Sequence, residues 1–137
     1  FDRFDPKKVA SYTRTDVRRL LKNKGIVRNR QKIESTINNA NCFLKVKAEF
    51  GSFDKYIWEF VEHKTITNNY KKWREIPAYS EESKKMSIDL KNRGFKFVGS
   101  TIVYAHMQAM GMVNDHTIDC FRNKEVSNLA SKNKLSQ

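Results

Sequence analysis

Between Asn29 and Gly51 the apolar residues Ile33, Ile37, Ala40 and Leu44 recur at spacings of four, three and four. That is the period of one face of an α-helix, and it commits the longest ordered stretch of the chain to a helix that must be covered by others. The remaining punctuation agrees. Asp5-Pro6 is a helix start, with Asp as N-cap and Pro in the first position, and Val9 and Tyr12 then face inward. Thr13 and Asp16 form a capping pair for a short helix carrying Val17, Leu20 and Leu21, with Gly25 as its C-cap. Ser52 caps a helix bearing Phe53, Tyr56, Ile57, Phe60 and Val61. Ser80 caps another, with Glu81 and Glu82 where the helix dipole favours them and Met86 and Leu90 on its buried face. Between them, residues 63–79 have no clear period. They read as an exposed connection through Thr65, Thr67, Asn68 and Asn69, tucked down by Trp73 and Ile76. Five glycines and two prolines leave little room for loops. No strand and no repeat is expected, so the fold class is all-α, in residues 1–121, followed by a polar, disordered tail over 122–137.

Charge narrows the partner. Lys and Arg number 27 against 15 Asp and Glu, a net charge of +12. Such an excess suits a polyanion, most simply nucleic acid. The 39% hydrophobic and 12% aromatic content excludes a disordered chain. No apolar run approaches the ~20 residues of a membrane span. Two cysteines, Cys42 and Cys120, cannot build a disulfide framework, which favours an intracellular, cytoplasmic protein. No signal or transit peptide is visible. The chain opens at Phe1 rather than Met and is read as lacking its natural N-terminus.

The most informative stretch runs from Leu90 to Tyr104. It reads as helix, a tight turn between Gly94 and Gly99, then a helix ending near Met110 with Gly111 as its stop. The two glycines let the backbone turn and approach a ligand closely. The second helix opens at Gly99, Ser100 and Thr101 with free N–H groups, a terminus that attracts phosphate, and Arg93 and Lys96 add charge. Phe95, Phe97 and Val98 anchor the turn from below. This resembles a helix-hairpin-helix element, which grips DNA backbone without reading sequence. The same spacing also fits an ordinary αα-hairpin with glycine caps. Arg28 and Arg30, with Lys32, form a second basic cluster at the start of the longest helix, either a phosphate contact or a solvated first turn.

His116 and Cys120 stand four apart and share a face if helical, a spacing at which imidazole and thiolate can share zinc. Two ligands do not close a structural site. Tyr104 either lines a pocket or fills the core. His106 is a pocket or a surface histidine, and Trp58 and Trp73 are most simply core or loop anchors.

Four segments in one order carry a family resemblance: Phe4-Asp-Pro-Lys-Lys-Val, Gly25-Ile-Val-Arg-Asn-Arg-Gln-Lys-Ile, Arg93-Gly-Phe-Lys-Phe-Val-Gly-Ser-Thr and Val113-Asn-Asp-His-Thr-Ile-Asp-Cys120. Together they resemble the 3-methyladenine DNA glycosylase I (Tag) family over residues 1–121. The resemblance implies an all-helical variant of the helix-hairpin-helix glycosylase fold and a monofunctional base-excision enzyme. Such an enzyme flips an alkylated base out of double-stranded DNA and hydrolyses its N-glycosidic bond. It implies that Tyr104 borders the base pocket. It also implies a structural zinc of two Cys and two His, of which His116 and Cys120 are half. The catalytic Glu, the base-stacking aromatics and the other two zinc ligands are expected upstream of Phe1, so this chain alone is expected to be inactive. Where wider helix-hairpin-helix glycosylases carry an aspartate, this chain has Asn114, with Asp115 one residue later; either is read as a cap of the final helix. A monomer is expected. The alternatives are a noncatalytic helix-hairpin-helix DNA-binding module and a helical protein-interaction domain whose charge serves solubility.

Overall fold

The computed structural model describes residues 1–115 and 121–134. Seven helices are found among them: α1 (Pro6–Ala10), α2 (Arg14–Leu21), α3 (Arg30–Phe50), α4 (Phe53–Trp58), α5 (Glu81–Asn92), α6 (Ser100–Ala109) and α7 (Phe121–Lys134). Most begin where a side chain takes the orphan amides of a first turn. Asp5 Oδ1 accepts from Lys7 N (3.0 Å) and Lys8 N (3.3 Å). Asp16 Oδ2 accepts from Thr13 N at 2.9 Å. Asn29 accepts from Lys32 N at 3.2 Å, and Ser52 from Lys55 N at 3.1 Å. Ser80 and Ser83 cap each other's amides.

The chain divides into two compact units, Phe1–Tyr56 with Asp89–Val98, and Ile57–Ile88 with Gly99–Gln137. In the first, α1 and α2 lie against α3. Val17, Leu20 and Ile33 form a core there, with Tyr12, Leu21, Ile26 and Ile37 packed around it. On α3 the fully buried apolar positions are Ile33, Cys42 and Val46. The anticipated stripe is therefore only partly the buried face, because α3 is covered by neighbours on more than one side. Gly25 does not cap α2. That helix stops at Leu21, and Gly25 N instead donates to Asn23 Oδ1 at 2.8 Å in the following turn.

The second unit departs from expectation in two respects. A pair of two-residue strands, β1 (Ile66–Thr67) and β2 (Val113–Asn114), run parallel with Ile66 opposite Val113. Part of the supposed exposed connection is thus fastened: Ile66 N donates to Met112 O (2.9 Å), Asn68 N to Asn114 O (3.1 Å), and Thr65 Oγ1 to Gly111 O (3.0 Å). The polar end of the chain is not a disordered tail over its described length but the helix α7. Its anchor is Asn114, fully enclosed, whose Nδ2 donates to Asn123 O at 2.8 Å and Ser127 Oγ at 3.1 Å. Val126 is buried beside this contact in sequence, so a helix of unpromising composition gains a fixed face. Asn114 therefore grips the body of α7 rather than capping it, and Asp115 is buried and accepts from Asn68 Nδ2 at 2.6 Å. No helix among the described residues is long and apolar enough to cross a membrane.

Candidate nucleic-acid interface

The turn after α5 opens on a left-handed residue. Gly94 has φ +93°, its N–H donates to Lys91 O at 3.0 Å, and Phe95 N–H reaches back to Leu90 O at 3.0 Å. This pair of hydrogen bonds closes the helix end and redirects the chain. A Cβ at Gly94 would lie 3.3 Å from Cys42 Sγ, close enough that the sulfur on α3 would have to give way.

The segment that follows is held by two asparagines in the middle of α3. Asn38 Nδ2 donates to Gly94 O at 2.7 Å. Asn39 satisfies both backbone groups of Lys96: its Nδ2 donates to Lys96 O at 2.9 Å, and Lys96 N donates to its Oδ1 at 2.9 Å. The amide side chain thus stands in for a neighbouring strand. Because the backbone of Lys96 is fixed, its ammonium is presented to solvent on a rigid base. The sequence gives little warning of these asparagines. Asn is a weak helix former, which is only a hint that a mid-helix Asn pair has other work.

Below the turn lies an aromatic cluster. Phe53 stands 4.9 Å from Phe43, 5.7 Å from Tyr56 and 6.3 Å from Phe95 between ring centroids. Phe95 is half-buried there, as its expected anchoring role requires. Phe97 is not an anchor: it is 52% exposed at φ +58°, a left-handed backbone that turns its ring away from the unit.

Arg93, expected to add charge for a phosphate, is already matched. Its Nη1 lies 2.7 Å from Glu49 Oε2 and its Nε 2.8 Å from Asp89 Oδ2. Its guanidinium also sits 4.9 Å from the Phe50 ring and 5.0 Å from the Tyr56 ring. Tyr56 completes the network by donating its hydroxyl to Asp89 Oδ2 at 2.5 Å. Burial, then this hydrogen bond, pushes the Tyr56 hydroxyl far above the usual tyrosine range. Burial tends to raise Asp89, but the hydrogen bonds from Tyr56 and Arg93 and the charge of Arg93 outweigh it, leaving Asp89 below the usual carboxylate range.

In the second unit, α6 starts at Gly99. Unlike Asp5, Asn29, Ser52 and Ser80, Gly99 supplies no side chain to its helix, so the amides of this first turn have no side-chain cap. Gly99 has an ordinary extended backbone (φ −62°, ψ 158°), and a Cβ there would meet nothing within 4 Å. Its own unit does not demand a glycine. Thr101 is exposed and Ser100 half-buried. Tyr104 is buried, and its hydroxyl has no hydrogen-bond partner among the described residues. His106 is exposed. Arg28 and Arg30 are exposed at the start of α3, with Arg30 facing Glu34 at 3.5 Å. His116 and Cys120 lie outside the described residues, among which no group of three or more His, Cys, Asp or Glu could hold a metal.

These features can be set beside known proteins. Residues 1–123 match the family model for methyladenine glycosylase. The chain is 43% identical over 120 residues to the DNA-3-methyladenine glycosylase of Haemophilus influenzae, covering 88% of this chain and 65% of that protein. It is also 43% identical over 120 residues to DNA-3-methyladenine glycosylase 1 of Escherichia coli, covering 88% of this chain and 64% of that protein. The chain therefore spans just under two thirds of the length of these curated relatives. A crystal structure of 3-methyladenine DNA glycosylase I (TAG) superposes with a TM-score of 0.84 at 42% identity, covering 88% of this chain and 66% of that one. A structure of the Staphylococcus aureus glycosylase, concerned with its recognition of 3-methyladenine, gives 0.84 at 35% identity, covering 88% and 64%. With the matched residues spanning both the clamped turn after α5 and the uncapped start of α6, the chain belongs to the methyladenine glycosylase family.

Proposed function

We propose that this chain serves DNA base-excision repair as a 3-methyladenine DNA glycosylase, binding alkylated duplex DNA and acting on the extruded base. The observation that carries this reading is the 43% identity, over 120 residues, to proteins of that name. Supporting it are two phosphate-seeking features, each in its own unit: the rigidly based ammonium of Lys96 and the uncapped amides at Gly99, Ser100 and Thr101. Backbone contacts of this helix-hairpin-helix type position a protein on a duplex without reading its sequence. Arg28 and Arg30 are accessory contacts, and the unpartnered hydroxyl of buried Tyr104 supports a place for that residue at the base pocket.

The chemistry asks little of a general acid. An adenine methylated at N3 is cationic on the nucleoside and already a good leaving group. The bond from its nitrogen to the sugar breaks with its electrons going to the base, which leaves neutral, and a water oxygen bonds to the sugar carbon and gives up one proton to solvent. The protein must extrude the base, at a cost of a few kcal/mol recovered by stacking and hydrogen bonds, and stabilise positive charge growing on the sugar. No residue described above is assigned the carboxylate for that task. Asn114 is an amide already spent on α7.

We also infer that His116 and Cys120 supply two of four ligands to a structural zinc, a closed site with no position for a reactive water. When bound, the metal would contribute folding energy only. Metal analysis of the full protein tests this: Cys120→Ala should lower zinc content and stability together, and a zinc-free wild type would overturn it. A chromosomal DNA substrate would be met inside the cell, and we propose that the protein works there as a monomer.

The deciding experiment incubates the protein with methylated duplex DNA and measures free 3-methyladenine by chromatography. Release of the base is expected from the full protein, and Lys96→Glu should weaken binding to every duplex alike. Duplex binding without base release would leave a noncatalytic DNA-binding module instead.

A further inference from the structure

The turn at Trp73–Glu75, in the second unit, contradicts the expectation that Trp73 tucks the 63–79 connection down. Trp73 is 73% exposed, while Ile76 alone of that pair is half-buried. An indole left in water is a lost opportunity for burial, and here the surrounding residues hold it there. The carboxylate of Glu75 turns back to accept from Lys71 N at 3.0 Å and Lys72 N at 3.4 Å. Glu75 N–H donates to Lys72 O at 3.0 Å, and Ile76 N–H to Trp73 O at 3.2 Å. The Arg74 guanidinium lies 5.5 Å from the Trp73 ring centroid. Lys71, Lys72, Trp73 and Arg74 together line an open depression of about 510 Å³.

The indole is set among cations that no carboxylate matches. Unlike Arg93, none of Lys71, Lys72 and Arg74 has a carboxylate within ion-pair distance among the described residues. The one nearby acid in sequence, Glu75, spends its carboxylate on backbone amides. Three unmatched cations beside one exposed aromatic form a local positive surface that a polyanion can join. The pairing of cations for phosphates with an aromatic face for a sugar or base is the combination that nucleic-acid surfaces use.

We propose that the Lys71–Arg74 turn is a second DNA contact, separate from the hairpin. Lys71, Lys72 and Arg74 take successive phosphates of one strand, and Trp73 packs on a sugar or base edge between them. The proposal rests on the reading of this protein as DNA-binding. It adds a surface that the glycosidic chemistry does not require.

Duplex binding by the full chain is measured across a range of salt, with folding checked by circular dichroism. Replacing Lys71, Lys72 and Arg74 by Gln should make the slope of log affinity against log salt shallower by about 2–3, at about 0.9 per phosphate contact. Trp73→Ala should weaken duplex binding by roughly two- to fivefold, below what a base-stacked aromatic supplies, because the ring packs on a sugar or base edge. In a Trp58→Phe background, Trp73 is the sole indole, and duplex DNA should shift or quench its emission. If Lys96→Ala weakens binding while the triple Gln variant and Trp73→Ala bind as wild type and duplex DNA leaves Trp73 emission unchanged, the hairpin reading stands and this contact is overturned. If the wild type binds no duplex at any salt, the DNA reading falls and this contact with it. Quenching of Trp73 by polyaspartate but not by DNA would overturn it in favour of an acidic protein partner.

Discussion

The turn at Gly94–Phe97 and the turn at Lys71–Glu75 both present cations to solvent, but they are made in opposite ways. The first is fastened from outside, by Asn38 and Asn39 on a helix more than fifty residues away in sequence. The second is fastened from within, by Glu75 reaching back three and four residues. A turn pinned to a distant helix has its geometry set by the packing of the whole unit. A turn pinned by its own side chain has its geometry set locally, by residues within the turn. The difference suits the two proposed tasks. A fixed backbone holds register on a phosphate strand, while an aromatic contact tolerates a less rigid base.

Gly94→Ala should be the most damaging way to break this contrast. It forces a left-handed backbone on an L-residue and drives a Cβ against the buried Cys42 sulfur. A loss of roughly 2–3 kcal/mol in chemical denaturation is expected. A variant as stable as wild type would mean that α3 does not constrain the turn.

Asn39→Ala should come next, at about 1–2 kcal/mol, since both backbone groups of Lys96 lose their partner. Asn39→Asp should not rescue it, because a carboxylate cannot donate to Lys96 O. Restored stability in Asn39→Asp would count against the two-sided bond. Glu75→Ala removes a comparable pair of hydrogen bonds at an exposed site, and should cost no more than ~1 kcal/mol. Hydrogen exchange should show that loss confined to the Trp73 turn, whereas Asn39→Ala should loosen α3 and the hairpin together.

Acid sharpens the comparison further. Asp89 lies below its ordinary value of 3.8, so its network stabilises the fold fully above that value. That contribution is lost as pH falls through the lower folded value. Asp89→Asn should therefore flatten the decline in stability below about pH 4, measured by denaturation at stepped pH. The Lys71–Glu75 turn contributes no such dependence through Asp89.

The smallest effect on folding belongs to Gly99→Ala. Its backbone is ordinary and its Cβ space open, so only the modest N-cap preference for Gly over Ala, under ~1 kcal/mol, is at stake. Duplex affinity should fall far more than stability if a phosphate lies against that backbone. Unchanged affinity would remove α6 from the interface.

Much of this fold was legible from local chemistry. Asp5, Asn29, Ser52 and Ser80 start helices because each cap needs only a side-chain oxygen two or three residues from an orphan amide. Gly94 ends α5 for an equally local reason, a left-handed residue after the last turn. The four motif segments between Phe4 and Cys120 carried the family on different terms, as a resemblance of residues and not as a reading of local chemistry. Gly25 misled, since a glycine after a helix is compatible with several turns.

The tertiary structure alone decided what those elements do to one another. It matched Arg93 to Glu49 and Asp89, leaving Lys96 as the hairpin cation presented to solvent. It turned a polar terminal stretch into α7 by enclosing Asn114 against it, and it paired β1 with β2 across more than forty residues. It also left Trp73 in water where composition alone would bury it. The reason is the range of the interactions. A cap is fixed by neighbours in the chain, but an asparagine in α3 finds Lys96 only after packing has brought the two segments within hydrogen-bond reach.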